Sequence, residues 1–179
     1  GMYHSYFDTT PPHLLSRRSH SYYIRDGKRT EGRFDADTGI TVSNSGLNSP
    51  ISDMVKYLNF LIGDPKRQAD FDVVLQRTSL EEMWQARLKA EVDANGNPGF
   101  TTDIGLIYFI DQRNGRKLIG HGGDQNGFIS YLEFDPATRS ASLMVMNTSV
   151  AERAALNGKD VVSRLRRSIR ELHSPATSF

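Results

Sequence analysis

Cysteine is absent from these 179 residues, which excludes disulfides, thiol nucleophiles and cysteine-held metals together. Excess charge is absent too. The 22 basic residues face 21 acidic ones, and a net charge of +1 gives no bulk attraction to nucleic acid or to an anionic membrane surface. No apolar run approaches the length needed to span a bilayer. Gly1-Met2-Tyr3-His4 does not read as a signal peptide, so an exported protein would carry its signal elsewhere. Internal repeats and low-complexity segments are missing as well. What remains is ordinary soluble composition, 37% apolar and 24% charged. A chain of this length suffices for one domain that buries roughly 70% of its unfolded surface.

Residues 1–49 are rich in turns, with Pro11-Pro12 and Asp26-Gly27. Tyr22, Tyr23 and Ile24 before Asp26-Gly27, with Thr30 and Phe34 beyond, predict a short hairpin. Ser49 as N-cap and Pro50 at the first helical position open a helix. Ile51, Met54, Val55, Leu58, Leu61 and Ile62 keep helical spacing until Gly63-Asp64-Pro65 ends it. The capping-box pattern Ser79-Leu80-Glu81-Glu82 predicts a second helix that includes Met83, Trp84 and Leu88. Asn95-Gly96-Asn97-Pro98-Gly99 reads as a loop.

Beyond that loop the period becomes strand-like. Strands are expected over 104–110, 116–121, 128–134 and 140–147, joined by turns at Asn114-Gly115 and Asp135-Pro136-Ala137-Thr138. The first has Ile104, Leu106, Tyr108 and Ile110 on one face and Ile107 and Phe109 on the other, which predicts a sheet covered on both sides. Val161, Val162, Leu165, Ile169 and Leu172 predict a closing helix that stops at Pro175. Its arginines, Arg164, Arg166, Arg167 and Arg170, read as a solvated face rather than a binding patch. The whole pattern is α+β: an antiparallel sheet flanked by helices.

Four segments occur in a telling order: Gly1-Met2 with Phe7; Gly46-Leu47-Asn48-Ser49-Pro50-Ile51-Ser52-Asp53-Met54; Gly105-Leu106-Ile107-Tyr108; and His121-Gly122-Gly123 followed by Gly127-Phe128. Together they resemble the last four motifs of the serine β-lactamase and penicillin-binding-protein superfamily, in its class C-like hydrolase and esterase branch. That family runs Ser-x-x-Lys, Tyr-x-Asn, Gly-Met, a Gly-Leu-x-Ser-x-x-Asp-Met/Leu helix start, a Gly-Leu-Gly-Trp-like strand and a Lys/His-x-Gly strand. Here Tyr108 stands for the usual Trp and Ile107 for the second Gly. The resemblance implies that residues 1–179 are a single domain matching the C-terminal half of a β-lactamase-like domain. Residues 1–100 would be its turn-rich and helical part, and 101–179 its strands and closing helix. The implied fold is a partial β-lactamase/transpeptidase-like one.

By the same resemblance, the backbone N–H of Asp124 is one of two oxyanion donors, and His121 takes the place of the family's Lys beside nucleophile and base. Gly122 and Gly123 let a substrate carbonyl approach the backbone. No Ser is followed three residues later by Lys, and no Gly-x-Ser-x-Gly elbow occurs, so nucleophile and base are absent from these residues. Tyr57-Leu58-Asn59 matches Tyr-x-Asn but falls mid-helix and after the Gly-Met segment, with Leu58 in the buried stripe. The reaction implied is hydrolysis of a small-molecule ester, amide or β-lactam through an acyl-serine, by an assembly in which this chain alone is inactive. No cofactor is implied.

Other readings stay open at single residues. His121 also fits an ordinary strand histidine, or the base of an unrelated small α+β enzyme. His121 with Asp124 lacks further ligand spacing from His4, His13, His20 or His173, so no metal is expected. Gly120-x-Gly122-Gly123 fails as a dinucleotide loop, because Gln125 holds the third glycine position and a strand follows. Asp53 reads as a first-turn carboxylate favoured by the helix dipole. The alternative for the whole chain is a non-catalytic binding or assembly module. A missing half would leave an edge strand and an apolar patch exposed, which predicts a homo-oligomer or a complementing N-terminal half as partner. The family resemblance points to a periplasmic or secreted setting.

Overall fold

The computed structural model describes residues 1–35, 37–89, 102–113, 115–150 and 161–173. In chain order these form β1 (Tyr6–Phe7), a 3-10 turn (Pro12–Arg17), β2 (Tyr22–Arg25), β3 (Lys28–Glu31) and a second 3-10 turn (Gly39–Thr41). Then come α1 (Val42–Ser45), β4 (Leu47–Asn48), α2 (Ile51–Ile62), α3 (Gln68–Asp72) and α4 (Arg77–Met83). The remainder is β5 (Asp103–Ile104), β6 (Phe109–Arg113), β7 (Arg116–Gln125), β8 (Phe128–Asp135), β9 (Ser140–Met146), β10 (Thr148–Val150) and α5 (Val161–Leu172). Five strands pair in the order β5-β6-β7-β8-β9, three as β10-β2-β3, and β1 pairs with β4. The architecture is α+β, as the pattern predicts. One pairing, β10 with β2, is parallel.

Local chemistry explains most of the elements. Asp26 and Gly27 both take positive φ, 50° and 71°, the geometry of a two-residue hairpin turn, and β2 and β3 pair in register from Tyr22↔Glu31 to Arg25↔Lys28. Helix α2 follows its apolar spacing, but its start differs from expectation. The Pro50 carbonyl accepts the first helical N–H groups, from Asp53 and Met54 at 3.1 Å, while the Ser49 hydroxyl turns to Ser5 at 2.8 Å. Helix α4 begins two residues before Ser79, because Asp72 accepts the Arg77 N–H at 3.0 Å and caps the earlier turn. It ends before Leu88, which forms an isolated antiparallel bridge with Ile104.

The expected strand over 104–110 is two short strands and a turn. Gly105 N–H donates to the Tyr108 carbonyl at 2.8 Å and Leu106 N–H to the Met83 carbonyl at 2.9 Å. A Cβ on Gly105 would lie 2.3 Å from that Met83 oxygen, so only glycine fits. Leu106 and Ile107 are exposed, so the two-faced apolar strand does not exist. Strands β7, β8 and β9 fall where periodicity puts them, with β7 running four residues further. Helix α5 also matches, but its arginines divide. Arg164 and Arg167 are exposed, whereas the Arg166 guanidinium lies 3.4 Å over the Tyr131 ring and Arg170 donates to the Tyr131 hydroxyl at 3.3 Å. Those two are not on a solvated face: cation–π attraction draws Arg166 inward and the hydrogen bond to the Tyr131 hydroxyl draws Arg170. The expected features at Asn95–Gly99, Asn114 and Pro175 lie outside the described residues.

The chain divides into two compact units. The first comprises Gly1–Lys56, Gly122–Tyr131 and Leu143–Phe179; the second, Tyr57–His121 and Leu132–Ser142. The second unit buries Leu58, Leu61, Leu80, Trp84, Tyr108, Ile110, Ile119 and Phe134. Trp84 and Tyr108 both meet Phe134 edge-on, with ring centroids 5.0 and 6.0 Å away. The first unit buries Leu14, Ile129 and Met144 beside polar Thr10, Ser21, Asp53, Ser149 and His173.

Candidate active site

Strand β7 carries the candidate residues His121, Gly122, Gly123 and Asp124. Its hairpin to β8 closes at Asn126-Gly127, both with positive φ, 49° and 82°. A two-residue turn makes Gln125 and Phe128 a hydrogen-bonded pair, so alternate residues 125, 123 and 121 bond toward β8. Registration with β6 runs from Arg113↔Arg116 to Phe109↔Gly120. By the same alternation Gly122 and Asp124 turn their N–H groups to the edge of β7 that Gly120 presents to β6.

Glycine on this strand answers a packing demand. A Cβ on Gly120 would lie 2.4 Å from the Leu132 carbonyl oxygen. One on Gly123 would meet the Ser130 hydroxyl at 2.7 Å, and one on Gly122 the Tyr131 ring at 3.1 Å. The backbone therefore runs bare where a larger residue would push β8 away. His121 is exposed and stacks on Phe109, centroids 5.3 Å apart and planes 26° from parallel. Phe109 beside His121 was not singled out by sequence reasoning; only the β6–β7 register reveals it. Asp124 accepts a long hydrogen bond of 3.5 Å from buried Ser149 on β10.

The other motif residues lie elsewhere. Tyr57 sits within α2, and its hydroxyl meets that of Tyr108 at 2.8 Å. Burial, with the neighbouring Tyr57 oxygen, pushes the Tyr108 hydroxyl far above its ordinary range, so it stays neutral. Asp53 is a fully buried hub rather than a surface carboxylate. It accepts from the His4 N–H at 2.8 Å, the Ser5 hydroxyl at 3.1 Å and the Lys56 ammonium at 2.8 Å. The Gly105–Tyr108 segment is a turn, so this motif is not a strand here.

A cleft of about 170 Å³ is lined by Gly63, Asp64, Gln68, Arg77 and Arg139 among others. Its arginines donate to carbonyls at the end of α2, Arg77 to Leu61 in the last turn at 2.6 Å and Arg139 to Gly63 just beyond it at 2.7 Å, which is a structural cap. Among the described residues no cluster of three His, Cys, Asp or Glu could hold a metal, and no helix is long and apolar enough to cross a membrane.

A family model described as Beta-lactamase matches residues 1–164. Solved structures share the fold. An octameric penicillin-binding protein homologue from Pyrococcus abyssi is 24% identical with a TM-score of 0.63, covering 83% of this chain and 31% of that one. The D-amino acid amidase from Ochrobactrum anthropi SV3, complexed with L-phenylalanine amide, is 23% identical with a TM-score of 0.57, over 97% of this chain and 48% of that one. A class C β-lactamase from Rhodobacter sphaeroides is 13% identical with a TM-score of 0.57, over 90% of this chain and 50% of that one. This chain thus spans from about a third to half of the length of these proteins. No curated protein sequence matches it.

Proposed function

The chain belongs to the β-lactamase family, and on that premise we propose that His121-Gly122-Gly123-Asp124 forms one wall of an acyl-serine hydrolase site. The substrate is an ester, amide or β-lactam carbonyl. An amidase that binds an amino acid amide and a class C β-lactamase among the structures of the same fold support this substrate class. The observation that carries the reading is exposed His121 on a glycine strand, stacked on Phe109 at the point where the β6–β7 register ends.

The division of labour follows from acyl-transfer chemistry. A serine hydroxyl attacks the carbonyl while a base takes its proton, and neither residue belongs to the motifs of this chain. Negative charge then builds on the carbonyl oxygen, and the Asp124 N–H is one of the two donors that stabilise it. In a complete site, loss of one such donor costs about 10²–10³ in rate. His121 donates a hydrogen bond to the nucleophile–base pair or tunes its protonation. The octameric state of the Pyrococcus abyssi homologue supports self-association of this chain.

The test is labelling with an acyl-phosphonate probe read by intact mass, alongside nitrocefin and p-nitrophenyl ester turnover. This chain alone is expected to give neither adduct nor turnover. Joined or paired with a polypeptide carrying Ser-x-x-Lys, a single serine of that polypeptide is labelled, and His121→Ala lowers kcat/KM by roughly 10². A stoichiometric adduct on a serine of this chain sinks the proposal.

A further inference from the structure

Helix α5 is held by the face that carries Arg166 and Arg170, which covers only part of its apolar pattern. Arg166 and Arg170 clasp Tyr131, and Val162, Ile169 and buried His173 lie on the same side. The consequence is an outward stripe. Val161, Leu165 and Leu172 remain 43%, 40% and 82% exposed, with exposed Ser168 completing the spacing of four, three and four residues. That spacing is the seam of a coiled coil. Arg164 and Glu171, seven residues apart and exposed, flank the seam on one side.

We propose that α5 is a self-association surface that pairs antiparallel with α5 of a second copy. In an antiparallel pair a flank meets the same flank of its partner, so a charge pattern is satisfied only if it complements its own reverse. This one does. With Val161 packed against the partner's Leu172 and Leu165 against the partner's Ser168, Arg164 falls beside the partner's Glu171. The two-fold axis repeats each contact. Ser168, being small, admits the opposing Leu165. A parallel pair would instead set Arg164 beside the partner's Ile169 and lose that match. A 12-residue helix is about 18 Å long, so the seam is short and the association is weak, micromolar or poorer.

Sedimentation velocity on the chain, from micromolar to millimolar concentration, tests the assignment. A monomer–dimer equilibrium is expected. Leu165→Glu weakens it by more than about tenfold, because a carboxylate enters the seam. Leu172→Ser, at a highly exposed site that leaves folding alone, weakens it as well. Arg164→Glu weakens it roughly tenfold by setting like charges against each other twice, and the double change R164E/E171R restores it. Circular dichroism reports that each variant keeps its fold. Three results overturn the proposal: a monomer at every concentration, a dimer indifferent to Leu165→Glu and Leu172→Ser, or a charge reversal that fails to restore pairing.

Discussion

The two compact units are held by different forces. In the second, Trp84 and Tyr108 meet Phe134 edge to face, Leu61, Ile110 and Ile119 are fully buried, and apolar burial dominates. In the first, polar side chains tie distant segments together. Arg18, its side chain 7% exposed, donates to the Tyr6 hydroxyl at 2.6 Å, to Asn48 at 2.7 Å and to the Phe34 carbonyl. Asp8 accepts from Thr38, Asn126 bonds the backbone of Arg33 on both sides, and Asp53 ties the first residues to α2. Apolar packing responds to volume and is indifferent to direction. Polar ties respond to single atoms and to pH, because each buried polar group without its partner costs the full desolvation. One chain thus has a unit sensitive to size and a unit sensitive to chemistry.

The sharpest way to break that contrast is Phe134→Ala. Removing a fully buried aromatic that two other rings lean on should cost about 3–5 kcal/mol, read as a shift of the urea midpoint at unchanged slope. A cost under about 1 kcal/mol would mean that the aromatic cluster is not what holds the second unit. In the first unit Arg18→Lys keeps the charge and loses the planar fork. One ammonium cannot reach acceptors on Tyr6, Asn48 and Phe34 together, and the expected loss is about 1.5–3 kcal/mol. If lysine proves neutral there, the first unit rests on charge alone and not on direction.

Acid gives a subtler probe, since it acts on one carboxylate in each unit. The hydrogen bond from Lys56 holds Asp53 to about 2, against an ordinary 3.8. Burial opposes it, and the His4 N–H and Ser5 hydroxyl assist. The unfolded chain therefore takes up the proton first. The stability Asp53 contributes is complete above about pH 4 and is lost as pH falls through about 2. Burial raises the Asp135 carboxyl, but Arg116 and the amides of Thr138 and Ala137 outweigh it and hold it below the ordinary carboxylate range. Urea midpoints measured down this acid limb should fall for the wild type. Asp53→Asn should flatten the limb without abolishing it, because Asp135 still titrates. A limb unchanged by the substitution would show that the Asp53 ties carry no stability.

The same contrast decides what could be read before any coordinates. The β2–β3 hairpin, α2 and strands β7 to β9 follow from periodicity and turn residues within a dozen positions of one another. The parallel pairing of Thr148 with Tyr22 does not, because nothing local to either residue names the other. Asp53 looked like a dipole partner because the sequence around it says nothing of His4 and Ser5. At the candidate site the motif marks the strand, but what His121 stacks on depends on the Phe109↔Gly120 register. Gly105 misled the strand assignment for a similar reason. Its demand for space comes from the Met83 carbonyl, distant in sequence.

That turn also supplies the smallest expected effect. Ile107 holds φ at 66°, a left-handed conformation costly for a β-branched side chain, whereas Asn126-Gly127 meets the same demand with residues that tolerate it. Its side chain is 64% exposed, so packing does not explain the choice. Ile107→Gly relieves the strain and gives back part of the gain as added freedom in the unfolded chain. The net should be a stabilisation of about 0.5–1 kcal/mol, seen as a small rise in Tm. Leu106 and Ile107 form the exposed tip of the hairpin whose Phe109 stacks on His121, so the variant has a second readout in the proposed hydrolase assembly. Higher Tm with unchanged turnover would make the strain incidental. Higher Tm with lower turnover would tie the strained, exposed isoleucine to the substrate, since strain kept against stability persists where function demands the shape.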